Sequence, residues 1–499
     1  MSQPWKIYII VAAIICLIIG AGIGWVIKPA PPAPPAGVPA EKYEALKADY
    51  EKLKADYEKL KKENEALKKE IERLKPAPPP PKVIKVITHP DIPPEYWERA
   101  FEMAKKRWPE LAEFKLEVMM PPDPKTAFFT AFEAGEAPQI VVVDSFEVPS
   151  WVEAGYLYPL TEFLEEWDGV LQFPKALLDM VTWRGGVYAL PYQTDVRVIW
   201  TRKDVLIEKG IGWPYQPKSL DEWLEVARAL KAKGVEYPIA LQSSRAWGEG
   251  TTMQAFLPLL WACGGDIYDW TTRKWIVSSE AYLKVLNFYR TIYEEGLANP
   301  EVPRAARPWE ICLSDFKEGR TVFYIDGNWA MGAFWPGGDY EIPDAPKKVD
   351  YMLIPGLPGK FASASGGWCF AIARKGKGIP PDWPEVAWKI MSMFYSPDLM
   401  ADYCIKRPWL PPRRDVAARA DFKEALPLFV RMSEEVFPYT RYRPALPEYP
   451  KISEYIQLMV EEVATLTKTP EEALRDFAAK VRDLVGPENI IDELGLLKG

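Results

Sequence analysis

The chain has 499 residues, with 62 Lys and Arg against 70 Asp and Glu, a net charge of −8 and no basic block, so nucleic acid is a poor partner. A single histidine, His89, and 5 cysteines with no CxxC spacing make a zinc site improbable. The length is too great for one hydrophobic core, and the abundance of Glu, Lys and Pro beside sparse Asn and Gln is a bias seen in thermophiles.

Residues 1–28 read as a membrane anchor. Ile7 to Ile27 carries no charge and is bounded by Lys6 and Lys28, long enough to cross the hydrocarbon of a bilayer. The run is long for a cleavable signal peptide, although Ala21-Gly22 is a conceivable cleavage point, and Cys16 lacks the small-residue context of a lipoprotein cysteine. With so few residues ahead of it, the segment inserts most simply with its N-terminus inside, which puts the remainder outside the cell.

Residues 29–40 and 76–81 are proline-rich spacers, semi-rigid and extended. Between them, residues 41–75 repeat every seven positions. Tyr43, Tyr50, Tyr57, Asn64 and Ile71 fall at a, and Leu46, Leu53, Leu60, Leu67 and Leu74 at d. Asp49, Asp56, Glu63 and Glu70 at g each face a lysine at e of a parallel partner, while Lys42 faces Lys47. Leucine throughout d and one Asn at a favour a parallel two-stranded coiled coil, a stalk of ~50 Å. The competing reading is a lone, solvated, salt-bridged helix.

Residues 82–499 alternate strand and helix. Lys82 to Thr88 and Lys115 to Met119 read as strands, separated by the amphipathic Tyr96 to Leu111. Thr126 to Gly135 reads as a helix, and the continuous apolar run Gln139 to Asp144 as a strand buried on both faces, as in a parallel sheet. Short helices follow at Ser150 to Gly155 and Leu160 to Glu166, then strands at Val187 to Pro191 and Val196 to Thr201. Ser219 and Glu222 form a capping-box pattern opening a helix through Lys233. The class is α/β, with ligand expected beyond the carboxyl ends of strands. Cys263, Cys312, Cys369 and Cys404 admit three disulfide pairings if oxidised, or are buried free thiols.

A series of segments then acquires meaning from its order. It starts with FEAGEAPQIVVVD (132–144), EAGYLYPLTEFL (153–164) and GVYALPYQTDVRVIWTRKDVL (186–206), and continues with PKSLDEWLEVARALK (217–231), LPLLWACGGDIYD (257–269) and FKEGRTVFYIDGNWAMG (316–332). SGGWCFAIARKGK (365–377), AWKIMSMFYSPDLMADY (387–403) and RPALPEYPKISEYIQLMVEEVATLTKTPEEAL (443–474) complete it. In this order the segments resemble the carbohydrate-type extracellular solute-binding proteins of ABC importers, the maltodextrin-binding-like family. The stalk is a departure from that family's commoner lipid-anchored or free forms.

The resemblance implies two α/β lobes closing on ligand about a hinge, one from about 82–193 plus 321–364 and the other from about 194–320 plus 365–499. It implies sugar stacking on Trp329 and Trp368, close backbone approach at Gly367, and hydroxyl binding by Asp144 and Asp195, with Tyr192 and Arg443 as further contacts. His89, after the first strand, and Trp247, in the polar loop SSRAWGEG, are added candidates; Trp151, Trp183, Trp270 and Trp335 are weaker ones. Asp195 has an alternative use as an ion-pair partner of Arg197 or Arg202, and Asp144 as a helix cap. No catalytic residue, metal or cofactor is expected, because GxSxG, HExxH and P-loop patterns are all missing. The expected partners are a sugar or other polar solute, ABC permease subunits, the membrane and a second copy of the chain. An anchored glycoside hydrolase and a cell-surface spacer protein are the rival readings.

Overall fold

The computed structural model describes residues 40–74, 82–374 and 383–497. The chain divides into two compact units, Met1–Pro80 and Pro81–Gly499. The expected membrane segment and both proline spacers lie outside the described residues; among those described, no helix is long and apolar enough to cross a membrane.

In the first unit, the heptad region forms one helix, Ala40–Leu74. Three of its d-position leucines, Leu53, Leu60 and Leu67, are 70%, 63% and 58% exposed.

The second unit is built on two main sheets. In the six-stranded sheet, Lys82–Ile87 lies between Phe114–Met119 and Ile140–Asp144, parallel to both. Strand Trp368–Ala373 continues the sheet antiparallel to Ile140–Asp144, and Leu157–Tyr158 and Ala189–Pro191 pair with it in turn. In the four-stranded sheet, Arg197–Arg202 runs antiparallel to Val349–Met352 and Phe323–Gly327, and Ile239–Ala240 adds in parallel at the edge. A small sheet joins Ile354–Pro355 and Phe361–Ser365, which lead from the second sheet toward Trp368–Ala373, with Thr440–Tyr442.

This topology corrects the expected lobe composition. Residues 321–364 supply strands to the same sheet as Arg197–Arg202, while the chain beyond Gly367 returns to the first sheet. There Trp368–Ala373 is followed by helix Trp383–Phe394, which packs on helix Pro94–Arg107. The chain therefore crosses between lobes at 192–196, again at 366–367, and a third time near Thr440–Tyr442, beyond which helices Tyr449–Ala464 and Pro470–Val485 pack into the second core. Strand pattern alone predicts that a strand exists; it does not choose between two sheets with equally apolar slots.

Most elements lie where their patterns place them. Strand Ile140–Asp144 is buried as expected, though it has one parallel and one antiparallel neighbour. Ser219 caps helix Leu220–Ala232 by accepting from the Glu222 amide at 3.2 Å, but Glu222 itself accepts from the amide of Lys218, one residue earlier than a capping box requires. The complete box is Thr469 with Glu472, at the start of helix Pro470–Val485. The second sheet shows the two-residue alternation of a strand layer covered on both faces: Ile199, Phe323, Ile325 and Met352 turn into one core, and Val198, Trp200, Tyr324 and Tyr351 into the other. All four cysteines of this unit are buried and free.

Candidate functional site

The carboxyl ends of the first sheet's parallel strands carry His89, Asp91 and Asp144. Strand register puts Trp368 directly opposite Asp144. His89 packs on the Trp368 indole with ring centroids 4.5 Å apart and bonds through Nδ1 to Asp91. The other Asp91 oxygen accepts from the Trp409 indole at 3.1 Å. Trp409 follows helix Pro397–Lys406, which packs against Pro94–Arg107 of the first lobe.

The second lobe supplies the facing groups. Trp329, just beyond strand Phe323–Gly327, lies 5.2 Å from Trp409 ring to ring. Arg197, opposite Gly327 across the strand pair, places its guanidinium 4.6 Å from the Trp329 ring. Arg197 pairs with Asp195, whose Oδ1 also accepts from the Gly366 amide at 3.1 Å, and donates to Gln254 at 2.7 Å. Gln254 sits in the π-helical turn Thr251–Phe256, a local widening that often marks functional positions.

Arg443 joins the lobes. It donates to Asp144 of the first lobe at 2.7 Å and to Glu249 of the second at 3.1 Å, and its guanidinium lies 4.5 Å over the Phe146 ring. Glu249 further accepts from Tyr449 at 2.7 Å and from Ser453. Burial pushes the Glu249 carboxyl up, opposed by Arg443 and the two hydroxyls. Burial likewise pushes Asp326 up to about 6, against hydrogen bonds from Tyr324 and the Gly327 amide.

Two glycines allow this close approach. A Cβ at Gly366 would fall on the Arg443 guanidinium. Gly367 has φ +132°, a region closed to other residues, and a Cβ there would meet the Gln193 carbonyl oxygen at 2.9 Å.

His89, Asp144, Asp195, Trp329, Gly367, Trp368 and Arg443 thus belong to one continuous set of contacts. Tyr192 lies behind the set: its amide donates to the Trp368 carbonyl at 3.2 Å, while its ring is 0% exposed and stacks on Phe370 at 4.5 Å in the first core. Trp247 packs against Trp309, 6.2 Å ring to ring, apart from the set. Asp144 makes no cap hydrogen bond, and Arg202 pairs with Asp204 rather than Asp195. Sequence reasoning missed Asp91, Trp409, Glu249 and Gln254. Asp91 carried a signal, two residues from His89 in a strand-end loop, whereas Trp409 reaches the site only through helix packing.

The arrangement presents aromatic faces beside charges already committed to one another: Asp195 to Arg197, and Asp144 and Glu249 to Arg443. A cavity of about 670 Å³ lies elsewhere along the lobe seam, between Trp183 and Trp275, and none of the residues just named lines it.

The profile of the family described as bacterial extracellular solute-binding protein matches residues 122–401, more than half of the chain. A second profile, homeobox associated leucine zipper, matches residues 41–77. An uncharacterized ABC transporter extracellular-binding protein of Pyrococcus horikoshii is 28% identical over 57% of this chain and 60% of its own length. The maltotriose-binding protein of Pyrococcus abyssi is 22% identical over 60% of each chain. The chain thus spans about 60% of the length of these curated relatives. Among solved structures, maltose-bound T. maritima MalE3 is 25% identical with a TM-score of 0.68, covering 81% of this chain and 100% of its own. A tagatose-bound ABC transporter solute-binding protein of Thermotoga lettingae is 26% identical at a TM-score of 0.67, covering 81% and 100%. These relatives are substrate-binding proteins, not enzymes. By the family profile, the ordered segments and the two-lobed fold, the chain belongs to the bacterial extracellular solute-binding proteins.

Proposed function

We propose that the chain is the membrane-anchored, extracellular substrate-binding subunit of an ABC importer, which takes an uncharged sugar or oligosaccharide into the cleft between its lobes and delivers it to the permease. One observation carries this reading. Trp368, His89, Trp409 and Trp329 present ring faces on both lobes, and the neighbouring carboxylates and guanidinia are paired with one another. Such a site offers stacking and hydrogen bonds with no unpaired charge, which suits a neutral, hydroxyl-rich ring. The names of its relatives, which bind maltotriose, maltose or tagatose, support the same class. A ligand bridging both lobes favours the closed arrangement by its differential affinity.

Residues 1–28 anchor the molecule. The stalk holds two copies in parallel through the leucine stripe, of which Leu53, Leu60 and Leu67 are exposed in the single chain. Sedimentation of residues 41–499 as a monomer at micromolar concentration would overturn the pairing.

The cleft is tested by tryptophan fluorescence of the full chain, titrated with maltose, maltotriose, mannitol and short peptides. A saturable change with a sugar that is recovered intact, lost in Trp368→Ala, supports the reading. Cleavage of the sugar would transfer support to the hydrolase reading. No response to any sugar would refute the proposal.

A further inference from the structure

The seam between the lobes holds a cavity of about 670 Å³ that shares no residue with the aromatic set around Trp368. One wall belongs to the first lobe: Trp183 donates its indole N–H to Glu153, which also accepts from Arg184 at 3.1 Å. The other wall belongs to the second lobe, where the Trp275 and Tyr268 rings lie 4.9 Å apart and Leu446 adds an apolar edge. Among the described residues no hydrogen bond crosses from the Glu153–Trp183–Arg184 wall to the other. Arg273, at the tip of the hairpin carrying Tyr268 and Trp275, is exposed and makes no ion pair or hydrogen bond among the described residues. In the same hairpin Trp270 is 61% exposed and packs edge-on against Tyr268.

We infer that this seam cavity is a second binding site, for an uncharged, polyhydroxylated ring compound of the same chemical class as the cleft ligand. The ligand class rests on the sugar reading of the cleft; the site rests on its own geometry. The volume falls within the range of small-molecule sites. The half-buried Trp183 indole supplies stacking surface opposite a wall floored by the buried Trp275 and Tyr268 rings, and the two carboxylates of Glu153 and Glu448 match the two guanidinia of Arg184 and Arg273, so the lining carries no net charge. Because each lobe provides one wall, an occupant binds only the lobe arrangement that holds both walls at this spacing. The same arrangement brings Asp144 to Arg443 and Trp329 to Trp409.

The test is calorimetric titration of the full chain, in a detergent without a sugar headgroup, with maltose, maltotriose and mannitol as probes. Two sites per chain are expected for at least one probe. Trp183→Ala and Arg273→Ala should each weaken or remove one site and leave the other at full stoichiometry. Arg273 is exposed, so its variant keeps the test valid if Trp183→Ala misfolds. Trp368→Ala should remove the cleft site and leave the seam site. A single site removed by Trp368→Ala and untouched by Trp183→Ala and Arg273→Ala overturns the seam site and leaves the cleft reading standing. A single site removed by Trp183→Ala and untouched by Trp368→Ala overturns the cleft reading instead. No heat with any probe overturns both.

Discussion

Replacing Arg443 with Met keeps an unbranched apolar stem and removes the charge at a point where an ion pair links both lobes. The Arg443 side chain is 2% exposed, so its two carboxylates are what stabilise a guanidinium taken out of water. Losing one member of a buried ion pair costs about 3–5 kcal/mol, largely because the remaining charge stays behind unpaired. The lower end of that range applies here. The Asp144 and Glu249 side chains keep 15% and 18% exposure, and Glu249 retains its bonds from Tyr449 and Ser453. A loss of ~3 kcal/mol at pH 7.5 is therefore expected, read by urea unfolding against wild type. The loss should depend on pH. The Glu249 carboxyl is already raised by burial in the folded protein, and Arg443 is the strongest opposing influence. Without Arg443 its folded pKa rises further, and a raised folded pKa contributes stability at low pH that disappears as pH increases. The variant should therefore recover part of its deficit at pH 5. A deficit under ~1 kcal/mol at pH 7.5, or one equal at both pH values, would refute the assigned role of Arg443 as a buried interlobe cation.

Three further perturbations probe different levels of the structure. Trp409→Ala removes the ring facing Trp329 and the donor to Asp91, and should weaken sugar binding about tenfold while leaving the unfolding midpoint nearly unchanged, as read by fluorescence titration and urea unfolding. Gly367→Ala forces a Cβ against the Gln193 carbonyl at φ +132° and should cost about 1–3 kcal/mol in urea unfolding; a neutral result would show that the backbone there is not fixed. Asp326→Asn tests the buried carboxyl raised from 3.8 to about 6. That shift corresponds to ~3 kcal/mol of stability present below about pH 4 and lost as pH rises past 6, so the Asn variant should gain on wild type by a few kcal/mol between pH 4 and pH 7. Parallel unfolding curves at the two pH values would remove the assigned cause.

The sequence by itself determined whatever depends on local periodicity and on short-range chemistry. The seven-residue repeat predicts helix Ala40–Leu74, the apolar run predicts strand Ile140–Asp144, and Ser219 marks the start of helix Leu220–Ala232. The order of segments also placed Trp329, Trp368, Asp144, Asp195, Gly367 and Arg443 among the residues that the structure assembles into one set of contacts. Only the tertiary structure decided which sheet receives Trp368–Ala373, because two buried sheets offer chemically equivalent slots and pairing is settled by packing over long separations. It also separated Tyr192 from the site, since a core tyrosine stacked on Phe370 and a ligand tyrosine have the same local sequence appearance. Trp409 and Glu249 enter the site from distant parts of the chain, through a helix packed on Pro94–Arg107 and a salt bridge to Arg443. No local pattern encodes either, because what defines them is the partner each one meets in space.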